Sequence, residues 1–318
     1  MRELRIIRRI RRVLERVGAL LGKLEGETGG RDKDATSETT HDQLVIQAMT
    51  QYDMMALPDE HYYSRQYLHW VLDEFATAYP DRRVRIIDLG CGQGRLSIPL
   101  AEWCLPGEGS VTGVDFTPDA IRRAKGYVQS RELGNLDFIE GHVLDFLGSL
   151  SDSSIDVVLL LEVAYMLPSY RDVIREIRRV LRPRGLMFVS FRSRYFNLLH
   201  CVRLHMWEGA KSAIMRREGH IFGGSGWFTW QTAIEVKDLV LSEGFTVRRI
   251  CGIGVASGIE GDPLSFIARP SELSPRELDS LMEIETMASE EYADCARYIL
   301  AIGVKRGDEQ TYQEGDPL

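Results

Sequence analysis

The stretch Ile86-Ile87-Asp88-Leu89-Gly90-Cys91-Gly92-Gln93-Gly94-Arg95 leaves the chain few ways to fold, because it reads as a buried strand running into a glycine turn and then a helix. Val84, Ile86 and Ile87 supply the strand. Three glycines at alternate positions remove the side chains that would hold a ligand off the backbone. From Leu96 to Trp103 apolar residues recur at helical spacing, so the N–H groups at that helix start face whatever lies in the turn. A nucleotide-like cofactor suits such a turn.

Spacing narrows the choice. The dinucleotide fingerprint G-x-G-x-x-G would put its third glycine at Arg95, whereas here it falls at Gly94, and Asp88 closes the strand before the turn. A carboxylate there repels a pyrophosphate and attracts an α-ammonium group. The next apolar strand, from Ser110 to Val114, ends in Asp115, placed to accept hydrogen bonds from both hydroxyls of a ribose.

Strand and helix alternate from there. Pro118 to Arg131 reads as a helix with Thr117 as its N-cap, Phe138 and Ile139 centre a third strand, and Ile155 to Leu161 form a fourth. A helix over Tyr170 to Leu181, a fifth strand over Gly185 to Phe191, a helix from near Thr232, and strands over Phe245 to Cys251 and Arg297 to Val304 follow. This alternation specifies an α/β fold with a mostly parallel, doubly wound sheet. Its ligand crevice lies beyond the carboxyl ends of the strands, where Asp88, Asp115, His142 and Glu162 all fall.

On these residues the chain resembles the class I S-adenosylmethionine-dependent methyltransferases over roughly Tyr52 to Arg306. Asp88 to Gly94 is similar to the family's first motif, Asp115-Phe116 to its ribose-binding acid and neighbour, Asp156 to Glu162 to its fourth strand, and Arg175 to Pro183 to the helix end before strand five. The resemblance implies a seven-stranded Rossmann-like sheet with an antiparallel edge strand and helical lid insertions. It implies S-adenosyl-L-methionine as cofactor, held by Asp88, Gly90, Cys91, Gly92, Gly94, Asp115, Phe116, Val143 and Leu161. The acid that holds the adenine amino group in that family is replaced by His142, with Asp145 and the backbone of Val143 as substitutes. Helices ahead of the first strand fold over the cofactor in the family, so Tyr52 or Tyr63 could touch the reacting methyl group or simply pack in the core.

Composition excludes several other classes. A net charge of −8 disfavours general nucleic-acid binding, and no apolar run reaches the ~20 residues that span a bilayer. Without a secretory signal at its start, the chain is expected in the cytoplasm. Cys91, Cys104, Cys201, Cys251 and Cys295 lie far apart without a C-x-x-C pair, which argues against a zinc cluster or disulfide framework, and no metal site is expected.

Residues 1–25 place Ile6, Ile10, Val13, Val17, Leu20 and Leu24 on one seam of an arginine-rich helix. Docking on its own domain or a sister subunit, lying on an anionic membrane, and serving as a targeting peptide compete as its role. Residues 26–42 read as a mobile linker, 43–306 as the methyltransferase domain, and 307–318 as a disordered tail.

Two insertions border the cleft, a lid over 192–230 and a helical one over 257–296, where Ser274-Pro275 opens a helix. The lid carries Tyr195, His200, Arg203, His205, Trp207, Lys211, Arg216, Arg217, His220 and Trp227 against only Glu208 and Glu218. That composition reads either as a pocket for an anionic substrate or as a solvated basic face. Candidate bases for a protonated acceptor are His200, His205, His220 and Glu162. The function expected is methyl transfer to an oxygen or nitrogen of a small molecule, anionic on the first reading of the lid. The alternatives are a membrane-associated enzyme for a lipid-like acceptor and a non-catalytic cofactor-binding scaffold.

Overall fold

The computed structural model describes residues 53–220 and 227–307. The seam over 1–25, the linker over 26–42, Tyr52, and the tail beyond 307 lie outside the described residues, as do the side chain of His220 and residues 221–226 of the lid.

In chain order the elements are α1 (Pro58–Ala78), β1 (Arg85–Leu89), α2 (Ser97–Cys104), β2 (Ser110–Asp115), α3 (Pro118–Val128), β3 (Leu136–Glu140), α4 (Val143–Gly148) and β4 (Ile155–Leu160). Then come α5 (Tyr170–Val180), β5 (Leu181–Ser193), α6 (Arg194–Arg203), α7 (Trp207–Met215), β6 (Glu218–His220), β7 (Trp227–Gln231), α8 (Ala233–Ser242), β8 (Phe245–Ile253), α9 (Pro275–Ala288) and β9 (Tyr298–Lys305).

The main sheet runs β3-β2-β1-β4-β5-β9-β8, parallel from β3 to β5, with β9 antiparallel to both β5 and β8. Its central strands are buried on both faces, which is why β1, β4 and β5 read as near-continuous apolar runs. The strand order reverses between β1 and β4. The crevice expected for such a sheet therefore opens at the carboxyl ends of β1, β2, β4 and β5.

Helix α1 begins with Pro58 at its first position and Asp59 and Glu60 in its first turn, both favourable at a helix start. Its inward face buries Tyr63, Tyr67, Val71 and Phe75 at helical spacing. Phe75 meets Phe188 edge-on at 6.0 Å, and the Tyr67 hydroxyl reaches Ser190 Oγ at 3.4 Å, which clamps the helix over β5. Capping boxes at Thr232–Glu235 and Ser274–Glu277 start α8 and α9. Thr117 has the extended backbone of an N-cap to α3, but its side chain makes no capping bond; the carboxylate of Asp115 takes the local N–H instead.

Strand β5 is longer than the expected 185–191. Arg192 pairs with Tyr298 of β9 on one side and with Trp230 of β7 on the other, so the strand carries Arg192 and Ser193 into the sheet. The lid accordingly starts two residues later, at Arg194, with the Ser193 hydroxyl accepting from Phe196 N–H at 3.0 Å to cap α6. The lid ends as the β6–β7 hairpin. The insertion over 257–296 contains one α-helix, α9, whose Glu285 accepts from the N–H groups of Val255 and Ala256 and from the Ser257 hydroxyl.

Candidate functional site

The glycine turn is shaped by backbone alone. Gly90, Gly92 and Gly94 sit at φ +71°, +54° and +85°, in the left-handed region that glycine reaches without strain. A Cβ on Gly90 would stand 2.2 Å from Val163 Cγ2, and one on Gly94 would stand 2.8 Å from Phe138 Cζ. The N–H groups of Gly90 and Cys91 both donate to Val114 O, at 2.7 and 3.0 Å, which ties the turn to the end of β2.

Asp115 ends β2 buried, its two carboxylate oxygens oriented separately. Gly92 N–H donates to Oδ2 at 2.9 Å and Thr117 N–H to Oδ1 at 2.8 Å. Burial raises its pKa, opposed by those two backbone donors. Each oxygen keeps lone-pair capacity for one further donor, which is what a vicinal diol offers.

Asp88 is buried too, and its Oδ2 accepts from the Ser97 hydroxyl at 2.6 Å. Burial lifts its pKa to about 6, held from going higher by Ser97 and Arg95. Its carboxylate Oδ2 thus faces the start of α2. Cys91 is a buried thiol pushed well above its ordinary pKa by burial, packed with Phe138 and Ile98.

Phe116 and His142 stack at 5.5 Å with planes 23° apart, His142 exposed at the edge of the crevice. Val143 is half-buried at the start of α4, Leu161 is buried after β4, and Asp145 is exposed. Asp88, the glycine turn, Asp115, Phe116, His142, Val143 and Leu161 thus all lie along the carboxyl ends of β1 to β4.

On the other side of the crevice a chain of buried charges appears. Arg95, next after Gly94, donates to Glu60 of α1 at 2.8 Å and pairs with Glu162 at 2.5 Å. Burial would raise the pKa of Glu162, but Arg95, Arg297 and the Tyr298 hydroxyl outweigh it and hold the carboxyl below its usual range. Arg297 pairs with Asp262 at 2.5 Å and lies over Tyr63, Phe196 and Tyr298. Arg192 lies over Tyr298, Phe196 and Tyr165 at 4.6, 4.8 and 5.2 Å.

His200, on α6, is half-buried beside this group; burial first, then Arg192, Arg297 and Arg203, press its pKa down to about 4. His205 is exposed between α6 and α7, stacked on Trp207 at 5.6 Å. His220 closes β6 opposite Trp227. Of the four candidate bases, then, Glu162 and His200 meet at the buried arginines and His205 does not. Tyr63 donates to Ser257 O at 2.7 Å and fills the space beside Gly254, which makes it a wedge between α1 and the loop after β8.

The basic lid is less open than its composition reads. Lys211 pairs with Glu208, and Glu235 of the following helix engages both Arg194 and Arg217. Sequence reading missed Arg95, Glu60, Arg297 and Tyr298. An arginine directly after a glycine turn was a legible signal for the first; nothing local marked the others.

Parts of the chain are similar to known proteins. Residues 80–224 match the family described as a methyltransferase domain. The demethylmenaquinone methyltransferase of Geobacillus kaustophilus is 31% identical over 122 residues, 38% of this chain and 51% of that protein. A Mycobacterium ulcerans protein named as a phthiotriol/phenolphthiotriol dimycocerosates methyltransferase is 30% identical over 129 residues, 41% of this chain and 45% of that protein. The chain thus spans about half the length of the curated relatives it matches. In fold it is similar to a Listeria monocytogenes structure described as an S-adenosylmethionine dependent methyltransferase, with a TM-score of 0.50 at 18% identity, covering 77% of this chain and 98% of that one. No described helix is long and apolar enough to cross a membrane.

Proposed function

We propose, from the match of residues 80–224 to a methyltransferase domain and from the geometry of the glycine turn, that this chain is a class I S-adenosylmethionine-dependent methyltransferase that transfers a methyl group to an oxygen or nitrogen of a small molecule. The observation that carries this reading is Asp115, whose two oxygens are aimed by Gly92 and Thr117 beside a turn with no room for a side chain at Gly90. A ribose diol and a backbone-hugging ligand are what that cradle accepts. When bound, the cofactor supplies a methyl group already activated on a sulfonium.

The chain's own task is then positioning. Asp115 takes the ribose, the turn from Gly90 to Gly94 approaches by backbone, and Asp88 supplies negative charge behind the start of α2. Arg95 locks α1 down on the turn through Glu60, which closes one wall of the crevice. Neither Glu162 nor His200 is matched to remove a proton at neutral pH, because one is held as an anion by arginine and the other is pressed down to about 4. An acceptor that arrives already deprotonated suits this site best.

Calorimetry tests the cofactor half: Asp115→Ala is expected to weaken S-adenosylmethionine binding about tenfold or more, and unchanged affinity removes Asp115 from the site. Transfer of labelled methyl from the cofactor into a product in cell extract tests turnover. Binding without incorporation would leave a cofactor-binding scaffold in place of an enzyme.

A further inference from the structure

Three arginines are drawn into the interior beyond β4 and β5, and they differ in how their charge is met. Arg95 has Glu60 and Glu162, and Arg297 has Asp262. Arg192 has no carboxylate within ion-pair distance among the described residues, and its Nη1 is sealed from solvent without a hydrogen-bond partner.

Arg192 is half-buried as a residue, and a guanidinium nitrogen sealed from water with no partner is costly. Three aromatic faces, Tyr298, Phe196 and Tyr165, offset part of that cost, while Arg297 adds to it by like-charge repulsion. The guanidinium stays charged: burial would lower its pKa, but Tyr298, Tyr165 and the more distant Asp262 hold it above the ordinary value. No carboxylate among the described residues pairs with it directly and Nη1 has no partner, which leaves its fork open to an anion. Its place is the carboxyl end of β5, one strand from Glu162 and the end of β4, at the end of the sheet where ligands of such folds sit.

We propose that Arg192 is the acceptor-binding residue, taking a delocalised oxyanion such as a carboxylate, enolate or phenolate carried on a flat conjugated body. This rests on the methyltransferase reading and names the substrate class of the same site. The fork of a guanidinium fits two oxygens or one delocalised oxygen, and the rings of Tyr165 and Phe228, stacked at 6.1 Å and 17°, continue the apolar wall beside it. A phosphate dianion, more strongly hydrated, finds one arginine and aromatic faces there and no ring of donors. Holding the acceptor as its anion also answers the absence of a matched base among Glu162 and His200, since the arginine lowers the acceptor's own pKa.

The test uses the full chain saturated with S-adenosylhomocysteine, whose binding is measured first by calorimetry; failure at that stage sinks the methyltransferase reading and not this one. Benzoate, its neutral isostere benzamide, and inorganic phosphate are then titrated. Benzoate is expected to bind about tenfold or more tighter than benzamide and tighter than phosphate. Arg192→Met should abolish that preference and Arg192→Lys should keep part of it, with S-adenosylhomocysteine affinity unchanged in both. Equal binding of benzoate and benzamide in the wild-type chain, including no binding of either, overturns the proposal without needing a folded variant. So does phosphate binding tighter than benzoate, or an Arg192→Met protein that retains the preference.

Discussion

The two walls of the crevice are built by different means. Around Asp88, the glycine turn and Asp115, oxygens are met by backbone N–H groups or by a hydroxyl nine residues away. Around Glu162, Arg192 and Arg297, charge is met by side chains from α1, β5, β9 and the loop after β8. The first wall is a property of a short stretch of chain. The second exists only when distant elements have docked, so it should be the more fragile of the two.

The most damaging way to probe that difference is Arg95→Met. It strands Glu60 and Glu162 as buried carboxylates with the guanidinium between them gone. A loss of about 3–5 kcal/mol in urea unfolding is expected, the range for removing one partner of a buried ion pair. A loss under about 1 kcal/mol would mean that water reaches the group and that the second wall is no more fragile than a surface pair.

Gly90→Ala attacks the first wall. Its Cβ would meet Val163 Cγ2 at 2.2 Å, and φ +71° is strained for alanine. About 2–3 kcal/mol of destabilisation is expected. Adding Val163→Ala should recover the steric part and leave about 1–2 kcal/mol of backbone strain. Full recovery would show that the turn tolerates a side chain and that backbone shape does not define this wall.

The same contrast explains what the sequence made legible. Asp88, the three glycines and Asp115 announce themselves because local spacing fixes their geometry: a strand end, a turn, and the next strand end about a repeat later. The parallel order of the sheet followed from the alternation of elements, and the strands fell within a few residues of their expected bounds. Arg192 fell just past the expected end of the fifth strand because its place there depends on Tyr298, over a hundred residues on, and on Trp230. No window of local sequence contains that pairing. For the same reason the lid's cations read as open charge, although Arg194 and Arg217 share Glu235 of the next helix.

A pH-dependent effect separates the walls by sign. Asp88 has a folded pKa of about 6, raised by burial above its unfolded value near 4, so the folded state holds the proton more tightly. Its contribution is favourable below about pH 4 and is lost as pH rises through 6, amounting to about 3 kcal/mol at most. His200 runs the other way: a folded pKa of about 4 against an unfolded value near 6.5 gives a contribution present above 6.5 and lost as pH falls toward 4. Partial exposure to solvent reduces that to about 1–2 kcal/mol. In the wild-type chain the two slopes oppose each other over nearly the same window, which flattens the stability profile. Urea unfolding from about pH 4 to 7 should therefore show Asp88→Asn gaining on the wild type as pH rises and His200→Gln gaining on it as pH falls. A variant that shows no pH trend against the wild type would mean that its group is solvated in the folded chain. The wall it belongs to would then be open to water, and the division between a backbone-built and a side-chain-built half would not hold.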